Sequence, residues 1–190
     1  MTDLTDVDIC NLAMGLLGAT KITSLSPPVG GKAKDLVTIY PQRLKAELRK
    51  RRWRFALSTD ELTADGSWAS ANPRAYRYIL NNAVVRVTVA KGSDWVLRGN
   101  FIYTDCFESP LYAQVIRSDL DPALFDPLFV DVLAASIASF MAEDVTQSNT
   151  KKADAKQSYA DAVKIAGAAN AFELGPQEAP LGTWAQQLGG

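Results

Sequence analysis

Apolar residues recur at helical spacing in four stretches of the chain, and between the second and third of these the period shortens to that of strands. The most apolar stretch covers residues 126–145. Asp126 suits a helix N-cap and Pro127 the first helical position, where its missing N–H costs nothing. Leu128, Val132, Ala135, Ser139 and Phe129, Leu133, Ile137, Met141 repeat every three to four residues. Val130 and Phe140 widen that face until little polar surface is left before Glu143 and Asp144. A helix this apolar must be covered on most sides by other elements. It is too short, and Asp131 lies too near its middle, for a membrane span. The pattern predicts the central helix of a folded core.

Three other helices are predicted around it. Thr5 is the N-cap of the first, Asp8 is its capping-box partner, and Leu4 with Ile9 has the spacing of a hydrophobic staple. Ile9, Leu12, Ala13, Leu16 and Leu17 form its expected apolar stripe, and Gly18 ends it. Residues 23–32, rich in Pro, Gly and Ser, form a turn-rich connection. A second helix is expected over about 32–55, with Leu36, Val37, Tyr40, Leu44 and Leu48 inward and a kink at Pro41. The last covers about 150–171, where Ala153, Ala160, Ala168 and Ala169, with Tyr159, Val163, Ile165 and Phe172, suggest close helix approach.

Between the second and third helices, 58–73 reads as a loop. Runs at 76–80, 84–89, 95–97, 101–104 and 111–116 are rich in β-branched and aromatic residues. Asn81-Asn82 and Arg98-Gly99-Asn100 are the expected hairpin turns. Asp121-Pro122 marks a short capped turn before the central helix. The predicted class is α+β, mainly α: about four helices, an inserted antiparallel β meander and an extended C-terminal tail. The expected division is a domain over 1–173, with its helical core at 1–57 and 120–173 and its β insertion at 74–118, followed by a tail at 174–190.

Composition narrows the chemistry. The chain is 47% hydrophobic and 22% charged, which suits one globular domain. A formal net charge of −1 means that attraction to nucleic acid would have to come from a local patch. Met1 is followed by neither a basic start nor an apolar signal core, so secretion is not expected. Cys10 and Cys106 lie far apart without metal-ligand spacing and read as buried thiols in a reducing compartment. The chain contains no histidine, which removes Ser-His-Asp and Cys-His catalysis and histidine metal ligation. Phosphate-loop, dinucleotide and EF-hand patterns are also missing. Neither catalytic residues, cofactor nor metal is expected.

Two stretches remain as candidates for contact with other molecules. Six basic residues fall between Lys45 and Arg54, among them Arg49, Arg51, Arg52 and Arg54, with Trp53 and Phe55 interleaved. They would suit phosphates and bases, an acidic protein partner, or simply a solvated helix end with Trp53 and Phe55 turned inward. Residues 174–190 contain prolines and glycines without periodicity and should not fold alone. A neighbouring subunit, a partner or the chain's own domain would have to hold them, and Leu181, Trp184 and Leu188 are the plausible anchors.

The order of these features resembles a known family. Asp8-Ile9-Cys10-Asn11-Leu12-Ala13-Met14-Gly15-Leu16-Leu17-Gly18-Ala19 opens the chain, and Trp53-Arg54-Phe55-Ala56 closes the second helix. A Tyr-led β segment follows, with Gly99-Asn100 and Tyr103-Thr104-Asp105. Phe125-Asp126-Pro127-Leu128-Phe129 then opens an alanine-rich helix, and Tyr159-Ala160-Asp161-Ala162 lies in the last. Over about residues 6–173 this resembles the head-to-tail adaptor, or tail tubular protein A, of tailed bacteriophages. Asn81-Asn82-Ala83 departs from the turn expected there. The resemblance implies a structural virion protein without enzymatic activity, assembled in the host cytoplasm. It implies a homo-oligomeric ring of twelve copies beneath the portal protein, extending the DNA channel and docking tail nozzle proteins. Genomic DNA would pass through without sequence-specific binding, and no membrane would be involved. Portal docking would fall to the tail anchors, and the basic run would either line part of the channel or, as favoured here, meet acidic portal or neighbour surfaces.

Overall fold

A computed structural model describes residues 3–68, 74–90, 94–105 and 107–173. Its elements in order are α1 (Asp6–Leu16), α2 (Gly31–Lys50), β1 (Leu57–Leu62), β2 (Tyr76–Ile79), β3 (Val84–Ala90), β4 (Trp95–Arg98), β5 (Phe101–Thr104), β6 (Leu111–Arg117), α3 (Pro127–Thr146) and α4 (Asn149–Glu173). Helices form a bundle around α3, and the six strands are inserted between α2 and α3. This is the α+β, mainly α class that the pattern predicts.

Local chemistry sets the helix ends. Thr5 Oγ1 accepts from the Asp8 amide while Asp8 Oδ2 accepts from the Thr5 amide, a complete capping box. At the other end Gly18 has φ of 66°, and the Ala19 amide donates to the Met14 carbonyl, a Schellman closure that needs this left-handed residue. Asp126 caps α3 by accepting from the Leu128 and Phe129 amides, and Pro127 occupies its first turn. Eleven of its twenty residues are buried, including Phe129, Leu133 and Ile137. Each large apolar side chain so buried contributes about 1.5–3 kcal/mol.

The β insertion departs from the predicted meander. Its strands form two three-stranded sheets, in the orders β1-β6-β3 and β2-β5-β4. Asn81-Asn82 therefore joins two sheets rather than closing a hairpin. Arg98-Gly99-Asn100 does close one, β4 against β5, with Gly99 at φ 58°. Part of the expected loop is strand β1, which pairs in register with β6 from Leu57↔Ile116 to Leu62↔Leu111. Its sequence, LSTDEL, hides the strand because Asp60 points to Arg117 of β6, an ion pair at 3.3 Å that no local pattern reveals. Successive residues of β6 face opposite ways. Ile116 joins the helical core, whereas Val115 and Ala113 join a second core with Tyr78 and Ile102. The first sheet thus lies between the helices and the second sheet.

Three helix faces also differ from expectation. On α1, Leu12 and Leu16 are exposed and Cys10 and Met14 are buried in their place, because α1 packs on α3 through a rotated face. Helix α2 stops at Lys50 rather than Phe55, and Arg51 and Trp53 are extended. Continuing the helix would carry the Trp53 indole away from the Glu47 carbonyl to which it donates at 2.9 Å. On α4 the tight contacts use Ala155, Ala166 and Gly167, whereas Ala153, Ala160, Ala168, Ile165 and Phe172 are exposed. Cys10 is buried, as expected; Cys106 lies outside the described residues.

Candidate functional site

The basic run lies where α2, strands β3 and β6 of the first sheet and α4 converge, and most of its head groups bind the protein itself. Arg49 Nη1 donates to the Val85 carbonyl of β3 at 3.1 Å, and Arg86 Nη1 returns a bond to the Arg49 carbonyl at 3.3 Å. Arg52 Nη2 donates to Gln114 Oε1 of β6 at 2.7 Å. Arg51 lies across Gly167 of α4, so close that a Cβ there would sit 2.2 Å from its Nη1. The Arg54 amide donates to Asn170 Oδ1, and Asn170 Nδ2 donates to the Arg52 carbonyl. Trp53 is buried against Phe129, edge to face at 4.9 Å, so it offers no ring for stacking on a base. The reading in which Trp53 turns into the core is the one realised.

Beneath this run sits a polar centre that the sequence reading did not single out. Glu47 is 1% exposed. Its Oε1 accepts from Ser136 Oγ of α3 at 2.7 Å and from Lys50 Nζ at 2.8 Å, and Arg43 Nη2 approaches at 3.4 Å. The Tyr159 hydroxyl of α4 accepts from Lys50 and donates to Glu47. Ser136 Oγ in turn accepts from Arg43 Nε at 3.0 Å. Burial opposes the charge on Lys50, yet the bonds to Glu47 and Tyr159 hold its ammonium above the usual lysine range. A buried carboxylate needs such compensation. The cluster clamps three helices together. The visible signal was the spacing Arg43–Glu47–Lys50, which places three opposite charges along one helix face.

Several recesses among the described residues lie outside this junction. One, of about 610 Å³, opens between β1 and β2 and carries Asp60, Glu61, Asp65 and Arg117. Arg117 binds Asp60, and Arg77 binds Asp65 while its guanidinium lies 4.5 Å from both the Trp68 and Phe101 rings. Asp60 and Asp65 are thus each matched by a base. Another, of about 370 Å³, is a groove beside α2 lined mainly by apolar residues, with Asp6 and Ser118 among them. Among the described residues no group of His, Cys, Asp or Glu could hold a metal ion, and no helix is long and apolar enough to cross a membrane. Leu181, Trp184 and Leu188 lie outside the described residues. No protein-family model matches the chain, and no curated protein matches it either.

Proposed function

We propose that this chain is a structural head-to-tail adaptor of a tailed bacteriophage. It would assemble as a homo-oligomeric ring, of twelve copies by the family's pattern, beneath the portal protein. There it would prolong the DNA channel and present a docking surface to tail nozzle proteins. One observation carries the reading. Two of the segments that carry the resemblance, Trp53-Arg54-Phe55-Ala56 and Phe125-Asp126-Pro127-Leu128-Phe129, meet in a single aromatic cluster. Phe55 lies 5.6 Å from Phe125 and 4.8 Å from Phe129. They act as one packing unit that joins the end of α2 to the start of α3, on either side of the β insertion.

The basic run fits a structural part better than a nucleic-acid grip, because Arg49, Lys50 and Arg52 direct their charges to groups of the same chain. A channel wall that held phosphates tightly would also oppose DNA passage. Exposed charge on Arg51 would meet portal or neighbour surfaces, and Leu181, Trp184 and Leu188 would anchor the tail there.

Light scattering on the chain alone, and then mixed with its cognate portal ring, tests this. A stoichiometric larger particle that is lost on deleting residues 174–190 is the expected result. A chain that ignores the portal but binds duplex DNA with a steep salt dependence would overturn the reading and make the basic run a nucleic-acid site.

A further inference from the structure

Arg43 and Lys50 lie two turns apart on one face of α2, and both hold the same oxygen, Glu47 Oε1, at 3.4 and 2.8 Å. The two cations therefore stand side by side. Their charges do not balance, because Glu47 supplies one negative charge against two positive ones. Among the described residues no other acid bonds to either of them.

Their donors are not used up either. Arg43 gives Nε to Ser136 and Nη2 to Ser136 and Glu47. Its Nη1 has no partner among the described residues and is not one of their buried, unpartnered polar atoms, so it reaches solvent. Lys50 gives one N–H to Glu47 and one to Tyr159, which leaves the third of its ammonium group. The two side chains are 26% and 46% exposed.

An aromatic ring flanks each cation. The Arg43 guanidinium carbon lies 5.6 Å from the centre of the Phe140 ring, and Lys50 Nζ lies 5.0 Å from that of Tyr159. Phe140 is 56% exposed, although the sequence pattern places it on the covered face of α3. One surface thus combines an uncompensated positive charge, unused N–H donors and an uncovered apolar ring. Its complement is an oxyanion with an apolar neighbour. A nucleic acid presents a phosphate at every step and is held by a run of free cations. Here the next bases along α2 and beyond, Arg49 and Arg52, are turned to Val85 and Gln114. A single carboxylate brings the cluster to neutrality, which favours an acidic protein segment.

We propose that Arg43 and Lys50 receive one carboxylate of a partner protein, an Asp or Glu side chain that accepts from Arg43 Nη1 and from the remaining N–H of Lys50, while an apolar residue beside it covers Phe140. Buried Glu47 fixes both cations before the partner arrives, so little side-chain freedom is lost on binding. The site needs neither ring nor portal and is separate from Arg51 and from residues 174–190, so it goes beyond the adaptor reading.

Side-chain NMR on the full ¹⁵N-labelled chain tests the proposal, following the Lys50 ammonium and Arg43 Nε resonances, which Lys50→Arg and Arg43→Lys assign. The probe is the blocked dipeptide N-acetyl-Glu-Leu-amide, with its Gln counterpart as the neutral control. Both resonances are expected to shift saturably with the Glu peptide, with Kd on the order of 1 mM. The Gln peptide should bind roughly tenfold more weakly, having lost the charge-assisted bonds. Phe140→Ala, at an exposed position, should weaken the Glu peptide about fivefold, the size of a small apolar contact. It should leave the shifts caused by acetate unchanged. The proposal is overturned if the shifts do not saturate, or if the chain's other lysines and arginines shift equally, which is screening alone. Equal affinity for the Gln peptide, or no effect of Phe140→Ala, overturns it as well. So does a single-stranded oligonucleotide that moves both resonances where the Glu peptide does not, which would make this a phosphate site. The portal experiment has a separate readout, so either inference can fail alone.

Discussion

The Tyr159 hydroxyl of α4 lies 3.1 Å from Glu47 Oε2 of α2, although 112 residues separate the two. With Ser136 of α3 on the other carboxylate oxygen, this single buried acid holds three helices in register. Glu47→Ala would leave Lys50, Arg43 and Ser136 facing a vacated site. The expected loss is about 3 kcal/mol, the lower end for breaking a buried pair, because Lys50 and Arg43 side chains are 46% and 26% exposed. Glu47→Gln keeps the shape and one acceptor and should lose less. Urea denaturation of both variants checks the order; equal losses would contradict the ionic part of the argument.

Phe129 is fully buried and touches Trp53, Phe55 and Phe125, with ring centroids 4.8–5.5 Å apart. Phe129→Ala should cost about 3–5 kcal/mol, the usual range for emptying an aromatic core site. Thermal unfolding followed by near-ultraviolet circular dichroism should lose Trp53 ellipticity at a lower temperature than in the parent chain.

Gly167 and Arg51 form a pair suited to a double-mutant cycle. Alanine in a helix interior is favoured over glycine by roughly 0.5–1 kcal/mol. At Gly167, however, the new Cβ would meet the Arg51 guanidinium at 2.2–3.0 Å. Gly167→Ala should therefore stabilise the Arg51→Ala chain by that amount and the parent chain by less. Identical effects in both backgrounds would mean that Arg51 moves aside without loss.

Hydrogen bonds from Ser67, then the Arg77 guanidinium, hold the Asp65 carboxyl at about 2, below its ordinary 3.8. A depressed acid adds stability that is fully present above its unfolded value and is lost as pH falls through the folded one. The β insertion should accordingly loosen as pH drops from 3.8 towards 2. Asp65→Asn should flatten the stability profile in that window, as measured by carboxyl NMR titration alongside unfolding.

Burial, with Asp6 nearby, pushes the Cys10 thiol up to about 12. Almost no thiolate exists at pH 8, and the sulfur lies under α3. In a Cys106→Ser chain, iodoacetamide should label Cys10 at roughly one-hundredth of the urea-unfolded rate or slower, limited by local opening. Rapid labelling of the folded chain would show that α1 opens readily from α3.

Much of the helical framework was legible because its signals are local. The Thr5–Asp8 box, Gly18, and Asp126-Pro127 each satisfy backbone groups within one turn of themselves, so their residue types and spacing suffice. The apolar density of 126–145 likewise implied a helix enclosed by others. The sequence could not say which face of α1 would be covered. Leu12 and Leu16 are as apolar as Cys10 and Met14, and only the position of α3 distinguishes the two sides.

By itself, then, the sequence determined the class, four helices with a β insertion, the helix caps, and a chain without histidine chemistry. Tertiary structure alone decided the pairing of the strands. An edge strand such as LSTDEL gains its identity from pairing with the distant β6 and from the Arg117–Asp60 pair, whose partners are 57 residues apart. It also decided the fate of the basic run. Charge attracts at a distance regardless of partner, and whether a guanidinium meets solvent, a phosphate or the carbonyl of Val85 depends on what the fold places within hydrogen-bond reach of it.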